Sequence, residues 1–287
     1  NLATVWEPFL TQLAKRMGTK VKGYYASDYA GVIEAMRFNK VDVAWFGNKS
    51  AIVAVDRSGG EVFAQTVDAE GNPGYWSLIV THKDSKLNSV KDALACKSCI
   101  FGNGDPNSTS GFAVPGYYIF ALNNIQPREH FKRVTNASHE ANLLAVATKK
   151  VDFATNNTEN MRRFEKTFPD RYKTIKVIWK SPLIPSDPLV WRKNLSPETK
   201  KKIKAAILGM GTNGPDKEKE LKILAALQWA PFRDSSNKQL YPIRQLELFK
   251  ARLKIERKGA AKQTAEDKMK LKKINAQLKK IQDELKA

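Results

Sequence analysis

A helix, a basic turn and a short strand occur twice in this chain, offset by 110 residues, and that repetition constrains its fold more than any other feature. Residues 28–46 read DYAGVIEAMRFNKVDVAWF, and residues 138–156 read SHEANLLAVATKKVDFATN. In register, Ala35 meets Ala145, Lys40-Val41-Asp42 meets Lys150-Val151-Asp152, and Ala44 meets Ala154. Each copy is an amphipathic helix followed by a strand that runs into an Asn- or Ser/Thr-containing loop. The repeat sets Tyr29 opposite His139, each at the start of its helix. Two lobes built on one plan are the reading it supports; coincidence in a Lys-rich α/β chain is the alternative.

The rest of the chain has the same alternation. Trp6, Phe9, Leu10, Leu13 and Met17 fall at helical spacing, with Gly18 as a stop signal, and the helix reads from the start at Asn1. Apolar strands at 41–46, 61–65, 76–80, 99–101 and 151–154 are separated by helices. That order predicts an α/β fold with largely parallel sheets. Two such lobes leave a ligand cleft at the loop ends of both sheets. The expected division is 1–82 with 188–246 as lobe one, 83–187 as lobe two, and 247–287 as a helical tail. The crossings near 82–84 and 185–188 are the expected hinges of a closing cleft.

Charge narrows the partners. Lys and Arg number 49 against 29 Asp and Glu, a formal +20. Residues 245–287 hold 13 basic and 6 acidic side chains, so much of the excess lies in the tail. No zinc-finger spacing or aromatic-basic signature accompanies it, and the reading is no nucleic acid. The apolar fraction of 42% excludes a disordered chain, and no apolar run approaches a membrane span. No charged-then-apolar leader opens the sequence, so any export signal is read as removed or never present. In the tail, Leu271, Ile274, Leu278, Ile281 and Leu285 alternate by three and four, the stripe of a helix that packs on another helix. It either joins two chains or folds back on its own lobe.

The two cysteines form a lone CxxC, Cys96-Lys-Ser-Cys99. With His82, His130 and His139 scattered, no metal set is legible. A redox pair ordinarily opens a helix, and this one ends one. Packed thiols or an incidental disulfide remain the readings.

Residues 101–112, FGNGDPNSTSGF, carry the chemistry. They follow a strand and precede an apolar helix, and Asn107, Ser108, Thr109 and Ser110 are N-cap residue types. A helix start presents N–H groups and partial positive charge to an anion, and three hydroxyls add donors. No Lys follows the glycines, so this is not a triphosphate loop, and Asn107 replaces the third glycine of GxGxxG. An ordinary capped helix is the plainer alternative.

GNGDPNSTSGF followed by VPGYY resembles the periplasmic phosphonate-binding protein of the bacterial phosphonate ABC importer. So do DYAGVIEAMRFNKVDVAW, PGYWS, ATNNTEN, VIWKSPLIPSDPLVWRKNLS and LQWAPF, and the likeness covers nearly the whole chain. It implies a two-lobe type II periplasmic binding protein in the periplasm, with no catalysis, cofactor or metal. It implies the importer's membrane subunits as partners, and a homodimer through the C-terminal helix. Ser108, Thr109 and Ser110, completed by Tyr75 and His139, would hold the phosphonate. Tyr29, Glu159 and Asp187 would hold the amino group of 2-aminoethylphosphonate. Neutral donors at one end and acceptors at the other suit a small zwitterion. Read singly, Tyr29 and Tyr75 are rim aromatics and His139 a helix-start polar residue, while Glu159 caps a helix and Asp187 starts a turn. The family's first strand, ahead of the helix near Thr4, has no counterpart in the sequence.

The near alternative is a binding protein for phosphate, phosphite or sulfate, which leaves Glu159 and Asp187 unexplained. An enzyme acting on a phosphorylated small molecule is the alternative from another class, and no Ser-His-Asp set or metal cluster supports it. Asn48, Asn107, Asn136, Asn156 and Asn194 all begin Asn-x-Ser/Thr sequons, several in the expected ligand loops. Glycans there would obstruct the site, which argues for the bacterial origin.

Overall fold

The computed structural model describes residues 2–287, and Asn1, where the reading of an opening helix began, lies outside them. The strands are β1 (Val43–Trp45), β2 (Gly60–Asp68), β3 (Gly74–Tyr75), β4 (Ser77–His82), β5 (Ile100–Asn103), β6 (Arg133–Asn136), β7 (Phe153–Asn157), β8 (Ile175–Lys180), β9 (Ile184–Pro185), β10 (Pro188–Arg192) and β11 (Trp229–Asp234). The chain divides into two compact units. One is the stretch up to Tyr75 with Leu183–Leu240; the other is Trp76–Pro182 with Tyr241–Ala287. The division falls earlier than the sequence-based crossings because of strand pairing. β4, through His82, is laid against β7 and β8, whereas Ile184–Pro185 pairs with β3.

The first unit rests on a sheet of order β1-β10-β2-β11 in which every neighbouring pair is antiparallel. The helix Leu2–Met17 covers it: Phe9 and Leu13 are buried against Phe63, Leu189 and Trp191, with Trp6, Leu10 and Met17 beside them. The five apolar positions therefore share one face, and Gly18, at φ 65°, ends the helix in the left-handed region. Phe63 stacks on Trp191 with centroids 4.1 Å apart. At the helix's last turn Glu220 is fully buried and meets Arg16 Nη2 at 2.6 Å, Gln12 Nε2 at 2.9 Å and the Gly211 N–H at 3.1 Å. Those donors hold its carboxyl down at about 2, the Arg16 hydrogen bond contributing most.

The second unit rests on a sheet of order β6-β5-β7-β4-β8, parallel where β5 meets β6 and β7, antiparallel where β4 meets β7 and β8. It is covered on both faces. Leu78 and Val80 join one core with Leu143, Val146 and Phe164; Ile79, between them, joins another with Phe101, Phe120 and Phe153.

The expectation of largely parallel sheets is thus corrected. Alternating helices and strands report only chain neighbours. β10 arrives from the far side of the second unit's sequence and inserts between β1 and β2, running against both.

The repeat is real in three dimensions. The helices Tyr29–Arg37 and His139–Ala147 are capped by Asp28 and Ser138, which accept from the N–H groups of Gly31 and Ala141. Asn39 and Lys149 then take φ 58° and 59°. Ala35 O accepts from Lys40 N at 2.8 Å and Val41 N at 3.3 Å, and Ala145 O accepts from Lys150 N and Val151 N at the same two distances. β1 and β7 follow.

Within the second unit, the helices Tyr241–Glu256 and Ala265–Lys286 pack through Phe249 and Ile255 against Leu271, Ile274 and Leu278. Much of the apolar stripe of the last helix is thereby covered by the same chain. Cys96 ends the helix Val90–Ala95 and is joined to Cys99 by a disulfide.

Candidate functional site

The loop read as an anion site is built around a close backbone approach. Gly104 N donates to Gly111 O at 3.0 Å, and a Cβ on Gly104 would lie 2.6 Å from the Gly111 carbonyl, so no other residue fits. Ser108 N donates to Asp105 O and Asn107 N to Asp105 Oδ1, both at 2.8 Å, turning the chain into the helix. Ser108 is the cap, its Oγ accepting from Gly111 N at 2.9 Å. The helix opens as a wide π turn, Thr109–Ala113, a geometry common at functional sites. Ser108, Thr109 and Ser110 are each 2% exposed.

His139 stands beside this loop. Its Nε2 is 3.5 Å from Ser108 Oγ and 3.4 Å from Asn157 Nδ2, and its Cε1 would be 3.1 Å from a Cβ on Gly111. Its backbone carbonyl accepts from Asn156 Nδ2 at 2.8 Å. Burial, with the positive charge of Arg163 second, pushes its pKa down to about 4, so the imidazole is neutral. Asn157 also donates to Ser110 Oγ at 2.9 Å, Ser77 Oγ donates to Ser110 O at 2.5 Å, and Thr155 Oγ1 donates to Gly111 O at 2.7 Å. The arrangement is a helix start carrying neutral hydroxyls and a neutral imidazole. Such donors can bind an oxyanion without a permanent countercharge.

Glu159 lies in the first turn of the helix Thr158–Thr167, half-buried. The cap of that helix is Asn157, whose Oδ1 accepts from Asn160 N at 2.7 Å, so Glu159 is not the capping residue. Ser108, Thr109, Ser110, His139 and Glu159 all belong to the second unit.

Tyr29, Tyr75 and Asp187 belong to the first. Tyr29 is the half-buried first residue of its helix. Tyr75 is buried in β3, opposite Ile184 of β9. Asp187 is 8% exposed, directly before β10, and its Oδ2 accepts from Trp45 Nε1 at 2.9 Å. Its segment does not form a turn: Thr66 N donates to Asp187 O at 2.9 Å, and Asn48 Nδ2 to Pro185 O at 2.8 Å.

Sequence reasoning missed Asn157 and Trp45. Both lay inside quoted motifs, yet a buried amide and an indole carry no periodic signal. Among the described residues, no group of three or more His, Cys, Asp and Glu side chains forms a metal site, and no helix is long and apolar enough to cross a membrane.

Two α/β units, with a helix start furnished with neutral donors, define a solute-binding protein for a small oxyanion. The family model described as "ABC transporter, phosphonate, periplasmic substrate-binding protein" matches residues 1–240, and the chain belongs to that family. It is 58% identical over 251 residues to the phosphonates-binding periplasmic protein of Escherichia coli strain K12, spanning 87% of this chain and 73% of that one. The crystal structure of a binding protein component of an ABC phosphonate transporter from Pseudomonas aeruginosa superposes with a TM-score of 0.93 at 54% identity, covering 99% of this chain and 93% of that chain. A phosphate-import protein of Mycolicibacterium smegmatis is 30% identical over 218 residues, 71% of this chain and 66% of its own. The chain is thus a periplasmic binding component of a phosphonate importer, working with the transporter's membrane subunits, and its relatives bind substrates rather than convert them.

Proposed function

We propose that the phosphonate taken up is 2-aminoethylphosphonate. Its phosphonate is held by Ser108, Thr109, Ser110, His139 and Tyr75, and its ammonium is accepted by Tyr29, Glu159 and Asp187. The observation that carries this reading is Glu159. It sits in the first turn of the helix capped by Asn157, and the Asn157 amide touches Ser110 and faces His139. A carboxylate two residues along the chain from that amide suits a ligand that brings its own cation.

Titration calorimetry against 2-aminoethylphosphonate, methylphosphonate, ethylphosphonate, phosphate and sulfate tests it. 2-Aminoethylphosphonate is expected to bind tightest, and ethylphosphonate about 100-fold or more weaker, because the charge-assisted hydrogen bonds to the ammonium are lost. Equal affinities for the two would remove the cation end. The likeness to a phosphate-import protein supports a second reading, in which phosphate binds tightest of the panel.

The resemblance carries one further part of the proposal, a homodimer through the helix Ala265–Lys286. Met269 and Leu285 on that helix are exposed apolar positions. Met269→Glu with Leu285→Glu should lower the sedimentation coefficient to that of a monomer. An unchanged value places the contact elsewhere or removes it.

A further inference from the structure

We propose that Asn157 is a positioning residue of the anion end: its amide fixes the direction in which Ser110 donates. The inference rests on the reading of Ser110 as a contact of the phosphonate. The orientation of the amide is settled by its neighbours. Oδ1 accepts from the backbone N–H of Asn160 at 2.7 Å, which only an oxygen can do, so Nδ2 is the atom 2.9 Å from Ser110 Oγ. Both residues are buried.

A hydroxyl that accepts on one side must place its own hydrogen elsewhere. A serine in a helix ordinarily turns that hydrogen back onto a preceding carbonyl, where it is lost to a ligand. With a donor amide behind it, Ser110 offers its hydrogen away from Asn157. The Ser110 carbonyl is meanwhile occupied by Ser77 Oγ, which holds the backbone of the same residue. A fully ionised phosphonate only accepts, so a hydroxyl whose hydrogen is already aimed outward binds it without reordering.

Capping alone does not account for an asparagine here. Asp and Ser cap helices about as well as Asn, because the cap needs only an acceptor. The amide's other half is what Asp lacks: a carboxylate at 157 would take the Ser110 hydrogen rather than direct it. Serine would cap the helix but carries no N–H to reach Ser110.

Asn157→Ser and Asn157→Asp therefore separate the two roles, since both keep the cap. The affinities of ethylphosphonate and 2-aminoethylphosphonate are measured by calorimetry for wild type, Asn157→Ser, Asn157→Asp, Ser110→Ala and the double variant Asn157→Ser/Ser110→Ala, beside thermal unfolding without ligand. Expected are near-wild-type melting for Asn157→Ser and a loss of about 10-fold in affinity for both ligands. Asn157→Asp should lose more, because it adds an acceptor and a like charge. In the Ser110→Ala background, Asn157→Ser should cost less than about 2-fold, the non-additivity of a residue acting through another. Unchanged affinity in Asn157→Ser, or its full effect without Ser110, overturns the positioning role while leaving the anion site standing. Unchanged affinity in Ser110→Ala itself removes Ser110 from the anion site and overturns both.

Discussion

Trp45 donates its indole N–H to Asp187 Oδ2 at 2.9 Å, and Trp45 is wedged against Trp6 and Trp229, with ring centroids 5.5 and 5.4 Å away. The carboxylate is thereby aimed by a ring whose own place is set by the first unit's core. Accepting a ligand's ammonium is the role proposed for Asp187.

Asp187→Asn tests that role. The amide oxygen can still accept from Trp45, so the fold should be retained. Affinity for 2-aminoethylphosphonate should fall about 100-fold, since an ammonium loses a charged acceptor worth roughly 1.5–3 kcal/mol. Ethylphosphonate should bind as before or slightly better. Equal losses for both ligands, read by calorimetry, make Asp187 a structural residue.

On the proposed reading, Ser108 and Thr109 both hold the shared anion, so Ser108→Ala and Thr109→Ala should weaken both ligands by similar factors. They should part company in stability. Ser108→Ala also removes the cap on Gly111 N, which costs about 1 kcal/mol, whereas Thr109→Ala removes no cap. Urea unfolding of the two variants reads the difference directly.

His139 predicts a pH dependence whose sign follows from its depressed pKa. The unfolded chain protonates this imidazole below about 6.5, while the folded chain leaves it neutral down to about 4. Stability should therefore fall as pH drops through that window, by up to ~1.4 kcal/mol per pH unit from this group. His139→Gln should flatten that part of the profile in guanidinium unfolding between pH 7 and pH 4.5. Parallel profiles for the two proteins would mean that His139 titrates as it does in the unfolded chain.

Glu220 acts on the same acid limb, in a lower pH window. Its carboxyl is held at about 2 against an ordinary 4.5, so its stabilisation is fully present above pH 4.5 and is lost as pH falls toward 2. Glu220→Gln leaves Arg16 facing a neutral amide and should destabilise the protein by about 3 kcal/mol at pH 7. The gap between variant and wild type should close at pH 2–3. A gap that persists there would trace to packing rather than charge.

What the chain's order alone determined was local. The face of the first helix, its stop at Gly18, the Ser-rich cap, the end of a helix at Cys96 and the doubled helix–turn–strand all follow from spacing and backbone preference, which act over a few residues. The resemblance added the family and the residue types of the site. Tertiary structure decided what neighbours in sequence cannot report. β10 enters the first sheet antiparallel between β1 and β2, from the other end of a long excursion. Asn157 meets Ser110, and Trp45 meets Asp187, across segments that share no period. A hydrogen-bond donor is recognised by what lies 3 Å away through space, and only folding sets that distance.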